Sequence, residues 1–142
     1  MIVQQIVEKA LKKAQDAQAV MLTQETSAVG FENDRLKSAE SSQRTQIDVK
    51  IILDGKVGVS STTDPQDIDG VVQRALEAAE FGSPAHFELP DAQSLDPVKI
   101  FDPALLPLEK PEMIRMGQRM MDMIKTYNPE ILAGAGVSKT IY

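Results

Sequence analysis

A chain of 142 residues with 42% hydrophobic content is long enough for one ordinary domain with a real core. Aromatic residues are 4% of the chain and tryptophan is absent, so stacking platforms for bases are scarce. A net charge of -6 and a pI near 4.8 oppose the counterion release that drives nucleic-acid binding, and no direct DNA or RNA contact is expected. The lack of cysteine excludes disulfides, thiolate ligands and thiol nucleophiles. Charges begin at Glu8 and no apolar run approaches a bilayer span, so the reading is a cytoplasmic chain with no signal peptide and no membrane partner.

In chain order, Val3, Ile6, Val7, Ala10, Leu11 and Ala14 form the stripe of an amphipathic helix near residues 2 to 15. The period then changes to two. "AVMLTQET" and "TQIDVKIIL" read as antiparallel strands, and the polar stretch "GFENDRLKSAESSQ" between them is expected to hold a turn at Asn33-Asp34 and one more strand. Asp54-Gly55 sits between two extended runs and has the composition of a two-residue hairpin turn, where both positions need positive φ. Asp64 and Pro65 are placed to start a second helix, near 65 to 80, whose stripe is Ile68, Val71, Val72, Ala75, Leu76 and Ala79, closed by Gly82.

From Gly82 to Pro111 the chain carries six of its eight prolines and reads as an extended crossing over a surface. A third helix is expected near 111 to 126, with Met113, Met116, Met120 and Ile124 on one side and Met121 beside them, stopped by Pro129. "EILAGAGVSKTIY" reads as a terminal strand to be completed by further sequence or by a neighbouring molecule.

No segment supplies a catalytic, cofactor-binding or metal-binding set. Gly55-Lys56 is followed by valine, not by the hydroxyl residue and helix of a phosphate loop. A calcium loop with Gly70 in sixth place would put Pro65 first, Asp67 third, Asp69 fifth and Leu76 twelfth, and two of those cannot ligate through a side chain. His86 is the single histidine and reads as a surface loop residue. Ser60, Ser61, Thr62 and Thr63 lack a neighbouring base and read as strand-end and capping residues, while Glu77 and Glu80 lie on the wet side of a helix. The methionines Met113, Met116, Met120, Met121 and Met123 read first as core, with an adaptable partner groove as the alternative.

The run from "FENDRL" through "IILDGKVGVSST", the helix "VVQRALEAAE", an "SP" step and the acidic-proline "ELPD" resembles the N-terminal domain of the TldD/PmbA family, the so-called modulators of DNA gyrase. The resemblance covers Ala19 to Asp91, and "SSTTD" is nearer the PmbA branch. It implies an α+β fold: a curved antiparallel sheet of about four strands with helices packed on one face. On this reading 1–91 is the domain core, 92–110 a Pro-rich crossing segment, and 111–142 a third helix and terminal strand continuing into a C-terminal domain. The family implies a zinc metallopeptidase system acting on unfolded peptides, including antitoxins and peptide precursors. Its zinc ligands belong to the C-terminal domain of a TldD-type parent or partner, so no cofactor is expected in this chain. The implied role is a noncatalytic scaffold in a homo- or hetero-dimer of TldD/PmbA proteins. The alternative is a freestanding peptide- or protein-binding module using its Met-rich helix or an open sheet edge.

Overall fold

The computed structural model describes residues 1–90 and 96–142. The order is α1 (Ile2–Ala10), β1 (Asp16–Glu32), β2 (Arg35–Leu53), β3 (Lys56–Thr62), α2 (Ile68–Glu80), a 3-10 turn (Pro103–Leu105), α3 (Lys110–Tyr127) and β4 (Ala135–Ile141). The strands form one four-stranded sheet in the order β3-β2-β1-β4, with β2 antiparallel to β3 and β1 antiparallel to β4. This is the α+β fold expected from the sequence.

Both hairpin turns fall where the residues place them. Asn33 and Asp34 have φ of 49° and 64°, and Asp54 and Gly55 have 50° and 71°. These are the paired positive values of turns whose twist matches the strands they join. Between the turns the expectation is corrected. The polar stretch holds no separate strand, because β2 runs unbroken through 19 residues and absorbs it. Residues 39–44 are exposed on both faces, so they carry no alternation to read.

The chain divides into two compact units. In the first, Met1–Thr23 with Arg44–Asp96, the inward residues Ile47, Val49 and Ile51 of β2 pack against Ile6 and Ala10 of α1 and Val71, Val72, Ala75 and Ala79 of α2. α2 lies directly on β3: a Cβ built at Gly58 would stand 2.1 Å from the carbonyl oxygen of Ala75. α1 ends earlier than its stripe suggests. After Ala10 the chain tightens into a turn, with Lys13 N–H donating to Ala10 O at 3.0 Å, and Gln15 N–H then donates to Ile52 O at 2.8 Å. Docking onto the strand takes precedence over further helix, although Ala14 is still buried.

The start of α2 is corrected too. The helix begins at Ile68 behind Asp67, not at Pro65. Asp64 instead closes a local turn, its carboxylate accepting from Gln66 N–H at 2.9 Å and its carbonyl from Asp67 N–H at 3.1 Å, with Pro65 inside that turn.

In the second unit, Gln24–Gln43 with Pro97–Tyr142, Val29 and Phe31 of β1 meet Met113 and Met121 of α3, with Ile114, Ile124, Ala135 and Val137 half-buried around them. The buried stripe of α3 is therefore Met113, Gly117 and Met121, and not the stripe through Met116 and Met120, both of which are exposed. The reason is Phe31, whose ring lies on the backbone of Gly117 so closely that a Cβ there would be 2.3 Å from Cε2. Of the crossing segment, 92–95 lie outside the described residues, as does Asp91 of "ELPD"; 96–110 carry the 3-10 turn, capped by Asp102, which accepts from Ala104 N–H at 2.9 Å.

Candidate functional site

Residues 83–90 form a strap. Val57 N–H donates to Ser83 O at 2.9 Å and Ala85 N–H to Gly55 O at 2.7 Å. The Lys50 ammonium then sits 5.8 Å from the Phe87 ring centroid, and Leu89 N–H donates to Asp16 Oδ2 at 3.0 Å. Side chains alternate across a strand, so Lys50 points away from the helix-covered face of Val49 and Ile51. The strap thus crosses the face that α1 and α2 leave bare, and Ile52 on that face is buried. The strap residues are the first part of the proline-rich run, with Pro84 and Pro90. His86 lies on the strap and is exposed.

The hydroxyl run resolves into pairings. Ser61 Oγ donates to Asp48 Oδ1 at 2.6 Å, directly across the β2–β3 ladder, and Gln46 Nε2 donates to the same carboxylate at 2.9 and 3.1 Å. Hydrogen bonds from Ser61 first and Gln46 second hold the Asp48 carboxyl below its ordinary value of 3.8. That makes Asp48 a poorer base, the wrong direction for activating Ser61 as a nucleophile. The two border a shallow depression of about 300 Å³, with Gln18 and Val59 beside them.

Thr62 Oγ1 accepts from Asp64 N–H at 3.2 Å, which closes a local turn ahead of α2 and does not cap the helix, whose N-cap is Asp67. The carboxylates of the discarded calcium loop diverge: Asp67 takes Arg74 at 2.8 Å, and Asp69 pairs with Lys9. The Arg74 hydrogen bond is the main cause of a lowered Asp67 pKa. Glu77 accepts from Gln73 Nε2 at 2.9 Å on the outer side of α2. Among the described residues no three His, Cys, Asp or Glu side chains converge as a metal site.

One constellation has no counterpart in the sequence reading. Lys125 Nζ donates to Pro129 O at 3.0 Å and Ile131 O at 2.6 Å and pairs with Asp34 Oδ2 at 2.6 Å. Asp34 also exchanges hydrogen bonds with Ala133, N–H to O at 3.3 Å and Oδ1 from N–H at 3.2 Å. The β1–β2 turn is thereby clamped to the connection between α3 and β4. The Lys125 hydrogen bond, aided by Ala133 and opposed by partial burial, lowers the Asp34 pKa. A depressed folded-state value means the clamp's contribution is complete above the unfolded value near 3.8 and is lost as pH falls through the lower folded value. We expect Lys125→Met to return the Asp34 carboxyl toward its ordinary range and to remove this acid-side loss of stability. Carboxyl NMR titration with urea unfolding across that pH window checks it; an unmoved Asp34 would contradict the clamp.

An apolar opening in the first unit follows β1 beside α1. Met1, Val3, Ala19, Val20 and Met21 line a groove of about 520 Å³, and Val20 and Leu22 are 51% and 47% exposed. No described helix is long and apolar enough to cross a membrane.

The class defined by these features is an α+β domain with two cores, built on two long antiparallel strands and two edge strands. A family model described as PmbA/TldA metallopeptidase domain 1 matches residues 17–79. Over those residues the chain is similar to a first domain of the TldD/PmbA family. Solved structures agree on the fold. TldE from Thermococcus kodakarensis superposes with a TM-score of 0.87 at 11% identity, over 99% of this chain and 33% of that one. A candidate modulator of a DNA gyrase from Thermotoga maritima gives 0.80 at 13% identity, over 98% of this chain and 32% of that one. Another from Bacteroides thetaiotaomicron gives 0.77 at 16%, over 98% and 33%. The chain spans about a third of the length of these structures. No curated protein matches its sequence.

Proposed function

We propose that this chain serves as the noncatalytic N-terminal scaffold of a TldD/PmbA-type metallopeptidase system, on the PmbA side, and helps assemble a dimer that encloses unfolded peptides. The observation that carries the reading is the family match over residues 17–79 to a metallopeptidase's first domain. Its polar side chains add support, because the carboxylates of the discarded calcium loop and the one beside the hydroxyl run are engaged within the chain: Asp67 with Arg74, Asp69 with Lys9 and Asp48 with Ser61. On this reading zinc and its ligands lie in the C-terminal domain of a TldD-type parent or partner, and the system works in the cytoplasm.

The test mixes the purified chain with a complete TldD-type protein and with an unstructured peptide, each with zinc. We expect association with the family protein and no cleavage by the chain alone. Zinc-dependent cleavage by the isolated chain would refute the scaffold role, as would failure to associate with any family member, itself included.

A second reading is favoured by Met116, Met120, Met123 and Tyr127, which form an exposed stripe along one flank of α3. A flexible thioether surface suits an adaptable peptide-binding module. Saturable binding of an unstructured peptide that Met120→Glu abolishes, without association to a family protein, would favour it.

A further inference from the structure

The β2–β3 turn ties three parts of the first unit together. Gly55 N–H donates to Gln15 Oε1, just ahead of β1, at 3.0 Å, and Gly55 O accepts from Ala85 N–H of the strap at 2.7 Å. Lys56, the next residue, bridges to Pro84. An Asp-Gly step is also open to self-modification, because glycine has no side chain to shield its nitrogen. That nitrogen attacks the preceding aspartyl carboxyl: the N–Cγ bond forms, a carboxyl oxygen leaves as water, and the cyclic imide left behind is hydrolysed at either carbonyl. One hydrolysis restores aspartate. The other gives isoaspartate, whose side-chain methylene has become part of the main chain. Water is lost and regained, and no other reactant is needed.

The sequence holds two such steps, Asp54-Gly55 and Asp69-Gly70. At the second, the first turn of α2 sets the backbone and the Asp69 carboxylate pairs with Lys9. The Asp67 carboxylate fills the space beside Gly70, with Oδ1 2.0 Å from where a Cβ would stand. At the first, a Cβ on Gly55 would meet nothing within 4 Å, and the partner of the Gly55 N–H is the Gln15 side chain. We propose that Asp54 is a site of spontaneous isoaspartate formation and that Gln15 restrains it, by keeping the Gly55 N–H engaged and its peptide plane fixed. The product has a structural consequence. A two-residue turn with φ of 50° and 71° has no room for an added main-chain atom. Isoaspartate at 54 therefore displaces Gly55 and releases Ala85 N–H at the start of the strap.

The test incubates the folded 142-residue chain in mildly acidic buffer and follows isoaspartate by chromatographic peptide mapping, beside Gln15→Ala and Gln15→Glu. Gln15→Ala is expected to raise the rate at Asp54 roughly two- to tenfold, the factor that a net hydrogen bond of about 0.5–1.5 kcal/mol is worth. Gln15→Glu keeps an acceptor and is expected to keep the slow rate, a rescue that separates the restraint from a general loss of fold. Asp54→Asn forms the same imide by loss of ammonia and reads the site on a shorter timescale, with a residue suited to the turn. Its isoaspartate product is expected to lose hydrogen-exchange protection at Ala85. Isoaspartate that accumulates at Asp69 as fast as at Asp54, or a Gln15→Ala rate equal to the parent's, overturns the proposal. So does an Ala85 amide still protected in the isoaspartate product, or an Asp54→Asn chain that stays unmodified even with Gln15→Ala.

Discussion

Gly58→Ala is expected to lower the stability of the first unit by about 3 kcal/mol, the upper part of the usual range for overpacking a core. Intrinsic preference points the other way, because alanine in a strand is favoured over glycine by roughly 0.5–1 kcal/mol. The contact decides the sign. The new Cβ would stand 2.1 Å from Ala75 O and 2.8 Å from both the nitrogen and Cβ of Ala79, and those atoms belong to the body of α2. A helix backbone cannot turn aside as a side-chain tip can. α2 must lift from β3 and loosen its buried Val71, Val72, Ala75 and Ala79. Urea unfolding followed by circular dichroism gives the value, with Val59→Ala on the exposed side of the same strand as the control. An unchanged midpoint for Gly58→Ala would show that α2 does not seat on β3 at this point.

The second large effect is a reversal of sign in the other core. Phe31→Ala is expected to cost about 3–5 kcal/mol, as truncation of a buried aromatic does. Gly117→Ala alone should also destabilise, by about 1–2 kcal/mol, because the clash with the Phe31 ring outweighs the gain of roughly 1 kcal/mol in helix propensity. Once Phe31 has been removed the ring is gone and only the propensity gain remains. Gly117→Ala should then stabilise the Phe31→Ala protein. A double-mutant cycle reads this directly. Additive effects would mean that the ring does not rest on Gly117.

The turns and helices are legible in the sequence because their signals are local. Asn33-Asp34 and Asp54-Gly55 need no tertiary partner to demand positive φ, and the stripe from Ile68 to Ala79 follows from the helical period alone. What local pattern does not carry is information held by a distant neighbour. The outer half of β2 is strand because β1 runs alongside it, while its exposed residues from Ala39 to Arg44 read as loop. A pattern of apolar side chains cannot count Gly117 as buried, so it draws the core face of α3 through Met116 and Met120. That face belongs to Met113 and Met121 on either side of the glycine that Phe31 selects. The Asp34–Lys125 clamp joins residues far apart in the chain and leaves no local signature. For the candidate site, composition locates the hydroxyl run but not the cross-strand register that sets Ser61 opposite Asp48.

The scaffold role turns most directly on where the zinc resides. Elemental analysis of the desalted 142-residue chain, before and after incubation with excess zinc and a competing chelator, measures it alongside a complete TldD-type protein. We expect the chain to retain far less than one zinc while the complete protein keeps its metal. A chelator-resistant, equimolar zinc bound by this chain alone, and released by His86→Ala, would contradict the proposal.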